Sequence, residues 1–330
     1  MSVSEIESDD YSANLPSENG EEQDALEFVV PIDLAGLRLD QALARLLPQY
    51  SRSRLQQWVK AERVLLDADV ATPKTKVWGG ETVLVLPELP PEQLAFRAEV
   101  MDLPIVHEDD ALLVINKPAG LVVHPGHGNW SGTLLNGLLA HCPALFQVPR
   151  AGIVHRLDKD TSGLMVVAKT LTAQTELVRQ LQARTVKREY CALVRGHLNE
   201  AGTVDAAMGR HPRERTLMSV LPAGSTGAKP AVTHYEPLDW YRHATLVECR
   251  LETGRTHQIR VHMQSIGHPL FGDPVYGGGN SCQRFPRQAL HALRLGLQHP
   301  QTGQSMQWES SLPEDMQTLL DELEAEDAAD

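Results

Sequence analysis

HRLDKDTSGLMVVAKT, residues 155–170, places a carboxylate between a cation and a turn that runs directly into a strand. Asp160, Thr161, Ser162 and Gly163 all turn or cap a backbone readily. Leu164 to Ala168 is apolar and partly β-branched, the pattern of a strand buried on both faces. Asp158 therefore lies in a loop steadied by a rigid strand, two residues from Arg156, a placement suited to covalent chemistry. Two other readings stand beside that one. The loop could be a solvated turn, or Asp158 and Asp160 could hold magnesium, which ordinarily needs further carboxylates or substrate phosphates.

The rest of the chain bounds what such a loop can serve. At 330 residues it is long enough for two domains, and 42% apolar with 22% charged residues is ordinary for a soluble globular protein. No apolar run approaches the ~20 residues that span a bilayer. The N-terminus, MSVSEIESDDY, lacks the basic and apolar regions of a secretory signal. Cys142, Cys191, Cys249 and Cys282 are scattered without a C-x-x-C pair, which suggests neither zinc nor disulfides and fits a reducing cytoplasm.

The net charge of −13 speaks against nucleic acid until it is mapped. Residues 1–27 hold nine acids and residues 309–330 another nine, with no Lys or Arg in either. That leaves 25 acids against all 30 bases in residues 28–308, a body compatible with RNA binding through local basic patches. The acidic ends read as a solvated tail and an exposed C-terminal helix.

Four segments follow from composition and periodicity: a disordered acidic tail over 1–27, a compact module over 28–89, a proline-marked linker over 90–98, and a large domain over 99–330. In the module, Leu37, Leu39, Ala42, Leu43, Leu46 and Leu47 recur at helical spacing up to Pro48. Ser51 then caps a second helix, SRSRLQQWVKAER, and Gly79-Gly80 leads into a strand from Thr82 to Leu86. Residues 37–63 carry six bases against two acids, and Arg52, Arg54, Lys60 and Arg63 are candidates for phosphate contacts. LDQALARLL followed by SRSRLQQWV resembles the small RNA-binding module named after ribosomal small-subunit protein four.

In the large domain, strands are expected at Leu112–Asn116, Leu164–Lys169, Arg188–Val194, Val232–Pro237 and Thr245–Glu252. Helices are expected at Thr133–His141, Thr172–Ala183, His257–Ser265 and Asp315–Glu324. Strands outnumber helices without regular βαβ alternation, so the class is α+β with a mixed, mostly antiparallel sheet, beside a small N-terminal α/β module.

Further segments carry polar chemistry. INKPAGLVVHPG (115–126) leaves a strand through Lys117-Pro118, and VKREYCALVRG (186–196) sets Tyr190 in a strand. LETGRTHQIRVHMQSIGHPLFGDPVYG (251–277) uses Gly254 for a tight strand-to-helix turn ahead of Arg255, His257, Arg260 and His262. The two histidines lack the H-E-x-x-H pattern, so a metal is a poor reading. Arginines on that helix suit a carboxylate or phosphate partner better. His124, His155 and His268 read as hydrogen-bonded structural residues.

HRLDKDTSG, KREY, GRTHQIRVHM and GHPLFGDPVYG together resemble the RluA-type pseudouridine synthases, in particular their ribosomal large-subunit members, in order and spacing from about residue 28 to 312. The resemblance implies cofactor-free and metal-free isomerisation of uridine to pseudouridine, in 23S ribosomal RNA at the subunit-interface stem-loop. The partner would be that RNA or its assembly precursor, and the protein a cytoplasmic monomer in ribosome biogenesis. Asp158 would be catalytic, on the sugar or the uracil ring. Arg260 would pair with it, and Tyr190 would lie against the uracil. Arg156 would enter the stack vacated by the flipped base, and Leu251 would pack beneath the base. Two alternatives remain: a non-catalytic RNA-binding assembly factor, or a synthase acting at another RNA site. The segment from Gly278 to Arg287 looks short for a large-subunit enzyme.

Overall fold

The structure, a computed structural model, describes residues 25–87, 95–126, 128–278 and 284–328. The chain divides into two compact units, Met1–Arg97 and Ala98–Asp330. In the first, β1 (Leu26–Val29), α1 (Leu39–Leu46), α2 (Arg52–Lys60), β2 (Val64–Leu66), β3 (Asp69–Val70) and β4 (Thr82–Val85) follow in order. The strands form an antiparallel sheet of order β1-β4-β2-β3. Leu39 and Leu43 of α1 and Leu55, Trp58 and Val59 of α2 bury against Val64, Val83 and Val85 of that sheet. Ser51 Oγ accepts the Arg54 N–H at 3.4 Å, which starts α2 where the capping pattern places it.

The chain enters this sheet earlier than its acidic composition suggests. Leu26 and Glu27, read as tail, pair with Val85 and Leu84, because a strand with apolar partners outweighs local charge. Residues 1–24, and most of the segment read as linker, lie outside the described residues.

The second unit continues with β5 (Ile105–Glu108), β6 (Leu112–Lys117), α3 (Leu134–His141), β7 (Ser162–Ala168), α4 (Leu171–Gln182), β8 (Lys187–Arg195) and β9 (Gly202–Asp205). Next come a small hairpin of β10 (Met208–Arg210) and β11 (Met218–Val220), then β12 (Val232–Tyr241), β13 (Ala244–Leu251) and α5 (Gln258–Ser265). The unit ends with β14 (Leu290–Gln298), β15 (Ser305–Glu309) and α6 (Glu314–Ala328). Nine strands make one sheet of order β5-β6-β7-β14-β8-β13-β12-β9, with β15 also paired to β14. Its pairings are antiparallel except β7–β14. The mixed, mostly antiparallel α+β architecture expected from the pattern is the one found.

Strand periodicity explains the layering. Leu113, Ile115, Met165 and Val167 face one side of the sheet, with Leu134, Leu135, Leu138 and Leu139 of α3. Leu112, Val114, Leu164 and Val166 face the other, with Ala173 and Leu177 of α4. All seven residues of β7 are therefore buried. The C-terminal helix is not simply exposed, as its acidity suggests. Met316, Leu319, Leu320 and Leu323 bury against Leu193, Tyr241 and Phe271, and its acids line the outer face.

Where β7 meets β14 in parallel, Ser162 lies opposite His291 and Gly163 opposite Ala292. Gly163 has φ of 116°, and a Cβ there would collide with the Ala292 backbone. The pairing sits four and five residues beyond Asp158 and sets where its loop ends. Gly163→Ala is expected to destabilise the chain by roughly 3 kcal/mol or more, through left-handed strain plus the backbone collision. Urea unfolding measures this, and a loss below about 1 kcal/mol would show that the pairing tolerates a side chain.

Candidate active site

The loop carrying Asp158 is clamped by groups distant in sequence. Thr161 N–H donates to Asp158 O at 3.1 Å, closing the turn itself. Lys159 O accepts from Gly120 N and from Lys117 Nζ, both at 2.9 Å. Asp160 O accepts from Arg287 Nη1 at 3.1 Å, and Thr161 Oγ1 from Gln288 Nε2 at 3.1 Å. Arg287 is itself held by the Asp315 carboxylate of α6 at 2.6 and 2.8 Å. His155 accepts Val166 N–H through Nε2, and burial pushes its pKa down to about 3, so it serves as a neutral acceptor.

Across from this loop stands Arg260 of α5. Its Nε and Nη2 form a fork with both oxygens of Asp273, at 2.6 and 2.8 Å. Its Nη1 reaches Asp158 Oδ2 at 3.1 Å. The Arg260 side chain is 5% exposed and that of Asp273 is fully buried, whereas Asp158 keeps 18%. Burial alone would raise the pKa of Asp273. The Arg260 guanidinium and the N–H groups of Val275 and Tyr276 overcome this and hold the carboxyl below its usual range. The Tyr276 ring completes the seat, its centroid 5.0 Å from Arg260 Cζ. A fully committed buried carboxylate thus aims a cation at a partly open one.

α5 is aimed by Gln258 at its first residue. Its Oε1 accepts from Thr253 Oγ1 at 2.8 Å and Arg255 N at 3.0 Å, while Nε2 donates to Val232 O at 3.0 Å. The tight turn ascribed to Gly254 is made elsewhere. Gly254 has an ordinary φ, and His257, at φ 57°, takes the left-handed conformation. Gly254 instead admits Arg188, whose Nη1 would lie 2.7 Å from an added Cβ. His262 is buried and bonded to Thr233 Oγ1 and Ala206 O, a structural role. His268 likewise bonds Arg195 O at 2.9 Å, whereas the buried Nε2 of His124 has no hydrogen-bond partner among the described residues.

The sheet register carries Tyr190 to the same place. Gly163 of β7, Ala292 of β14, Tyr190 of β8 and Cys249 of β13 lie in one row across the sheet. Tyr190 is 6% exposed within the main core, and burial pushes its phenol pKa up, the Asp158 charge adding to the effect. Leu251, at the end of β13, is half-buried against that core. Arg156 is exposed, with no hydrogen-bond partner among the described residues. Arg255 donates to Pro230 O at 3.1 Å. Among the described residues no three His, Cys, Asp or Glu side chains gather as a metal ion would need.

In the first unit the four basic candidates differ. Arg52 is tied to the buried Asp40 at 3.0 and 2.6 Å, beside Arg38, yet keeps 47% of its side chain exposed. Arg54 stacks its guanidinium 5.3 Å from the Trp58 ring. Lys60 is exposed and Arg63 half-buried.

Sequence reasoning assigned no role to Asp273 or Lys117, although both stand in segments it singled out. The available signal was a lone polar residue in an apolar setting: Asp273 after LFG, and Lys117 after LLVIN. Lys117 is fully buried and its Nζ donates to Pro118 O, Leu121 O and Lys159 O at 2.8–2.9 Å. Burial pushes its pKa down to about 7, against the pull of Asp160 and Asp158. Lys117→Met is expected to cost about 2–4 kcal/mol by leaving three carbonyls without their donor. Urea unfolding measures this, and a loss below about 1 kcal/mol would show that the three carbonyls do not depend on Lys117.

Comparison with known proteins gives the family. Residues 111–265 match the family described as RNA pseudouridylate synthase, and residues 37–83 match the S4 domain. The chain is similar to the ribosomal large subunit pseudouridine synthase D of Nitrosomonas europaea, 56% identical over 96% of this chain and 94% of that one. It is similar also to the protein of that name in Haemophilus influenzae, 53% identical over 88% and 92%. Among solved structures it resembles human RNA pseudouridylate synthase domain containing 1, with a TM-score of 0.53 and 28% identity over 69% of this chain and 97% of that one. With an S4 domain ahead of its catalytic fold, the chain belongs to the RNA pseudouridylate synthase family.

Proposed function

We propose that this enzyme converts specific uridines of large-subunit ribosomal RNA, free or in an assembling precursor, to pseudouridine. The observation that carries the reading is the Asp158 carboxylate, partly open and held by an arginine whose other nitrogens are locked on buried Asp273.

The reaction breaks the N1–C1′ bond, turns the uracil, joins C5 to C1′ and moves a proton from C5 to solvent while N1 takes one up. It is redox-neutral, so its demands are positional and electrostatic. The Asp158 carboxylate supplies the negative charge that traps or stabilises the carbon centre. Arg260 holds its rotamer. Tyr190 offers its ring to the uracil and keeps its hydroxyl proton, since burial makes the phenol a poor base. Leu251 packs beneath the base, and Arg156, exposed beside the loop, fills the stack that the flipped nucleotide leaves. Arg52, Arg54, Lys60 and Arg63 contact phosphates without reading bases. The enzyme works as a monomer in the cytoplasm; no described helix is long and apolar enough to cross a membrane.

Pseudouridine mapping of ribosomal RNA from cells lacking the protein tests this reading. Large-subunit sites should disappear and return with the native chain but not with Asp158→Asn, whose RNA affinity should stay within a few-fold. An unchanged map, or restoration by Asp158→Asn, would overturn the assignment. Replacing Arg54, Lys60 and Arg63 together with Gln should weaken RNA binding and flatten the slope of log affinity against log salt by about 2–3. An unaltered slope would remove the S4 domain from phosphate contact.

A further inference from the structure

Arg260 engages one oxygen of Asp158, Oδ2. The other, Oδ1, faces His257 Nε2 at 3.9 Å, beyond hydrogen-bond distance in the free protein. His257 is held there against its backbone preference, since φ of 57° is uncommon for a residue with a Cβ. The ring is fixed from behind. Its Nδ1 lies 2.8 Å from Tyr276 Oη, and the two rings meet edge-on at 5.5 Å. Tyr276 Oη in turn accepts the N–H of Met218 in β11 at 3.0 Å.

Proton assignment along this chain is constrained. A backbone N–H can only donate, so the phenol oxygen is the acceptor at Met218. Among the described residues, the acceptor within reach of the phenol proton is then His257 Nδ1. Burial pushes the Tyr276 pKa up, so the hydroxyl keeps its proton. Burial also favours neutral imidazole at His257, with Arg260 and Arg156 aiding and Asp158 and Asp273 opposing. An imidazole that accepts at Nδ1 carries its proton on Nε2, directed at Oδ1. Hydrogen bonds of this kind are often long in a free enzyme and tighten when substrate excludes water.

We propose that His257 is a positioning residue for Asp158, its Nε2–H closing on Oδ1 when RNA fills the site, so that Arg260 and His257 together fix the carboxylate. The inference deepens the synthase reading and rests on it. Each oxygen keeps a lone pair for the reaction, while rotation about the Cβ–Cγ bond is stopped from both sides. Because the relay ends at Met218, the seating of the β10–β11 hairpin is transmitted to the carboxylate.

The test compares His257→Gln with His257→Met in the full chain. Both residues are unbranched and bear the same left-handed strain, and only Gln sets an N–H near the position of Nε2. Single-turnover release of tritium from C5-labelled uridine in transcribed large-subunit RNA reports the rate, and filter binding of the same RNA reports affinity. His257→Met should slow turnover about tenfold to a hundredfold, with affinity within a few-fold. His257→Gln should recover most of that loss. Tyr276→Phe, which keeps the ring beside Arg260 and loses the hydroxyl, should fall between them. Should the Met variant melt below the assay temperature, His257→Asn replaces it, since Asn tolerates left-handed backbone and its short amide does not reach Asp158. Equal rates for His257→Gln and for the Met or Asn variant, or a loss seen in affinity alone, would overturn the inference. Asp158→Asn in the same assay separates the two readings: turnover there would sink the synthase assignment itself, whereas an inactive Asp158→Asn beside indifferent His257 variants would sink only the role of His257.

Discussion

The Arg260–Asp273 fork is the contact on which the site depends. A guanidinium that is 5% exposed would be expensive to bury alone, and a fully buried carboxylate more so. Together, with two backbone N–H groups on Asp273 and an aromatic ring beside Arg260, the two charges are satisfied and immobile. The pairing uses two of the three guanidinium nitrogens and leaves Nη1 aimed at Asp158. Removing Asp273 would leave an uncompensated cation in the core, free to swing fully onto Asp158. The pair therefore serves direction more than stability.

The sheet supplies the counterpart. Gly163 lets β7 lie against β14, and the row through Ala292 to Tyr190 carries an aromatic ring to the loop that runs into β7. Lys117, Arg287 and Gln288 then hold that loop by its backbone oxygens and the Thr161 hydroxyl. Arg287 connects the loop to α6, so a helix whose outer face is acidic and solvated still braces the site through Asp315. Loop position gives Asp158 access, and the remote clamps give it precision.

Much of the fold was legible in local pattern. Leucines at helical spacing, Ser51 as a cap and the β-branched run after Asp158 each encode an element within a few residues, because these preferences are set by neighbours in sequence. Where the reading erred, a longer-range contact decided. β12 runs past Pro237 to Tyr241, since a register shift between Pro237 and Asp239 absorbs the missing N–H. Leu26 and Glu27 join a strand because β4 is there to receive them. Asp273 and Lys117 carried no role in the sequence because a lone polar residue in an apolar run looks the same whether its partners exist or not.

By itself the sequence determined the α+β class, the family through its linked motifs, and five of the strands and the four helices of the large domain, while β14 at the centre of the sheet went unread. These follow from periodicity, capping and motif spacing, all properties of neighbours along the chain. Only the tertiary structure decided which nitrogen of Arg260 meets which oxygen of Asp158, that Arg255 bonds Pro230 O, and that Tyr276 and Met218 stand behind His257. Those facts depend on groups as far as 102 residues apart meeting at hydrogen-bond distance, where a rotation of one side chain changes the partner while every residue type stays the same.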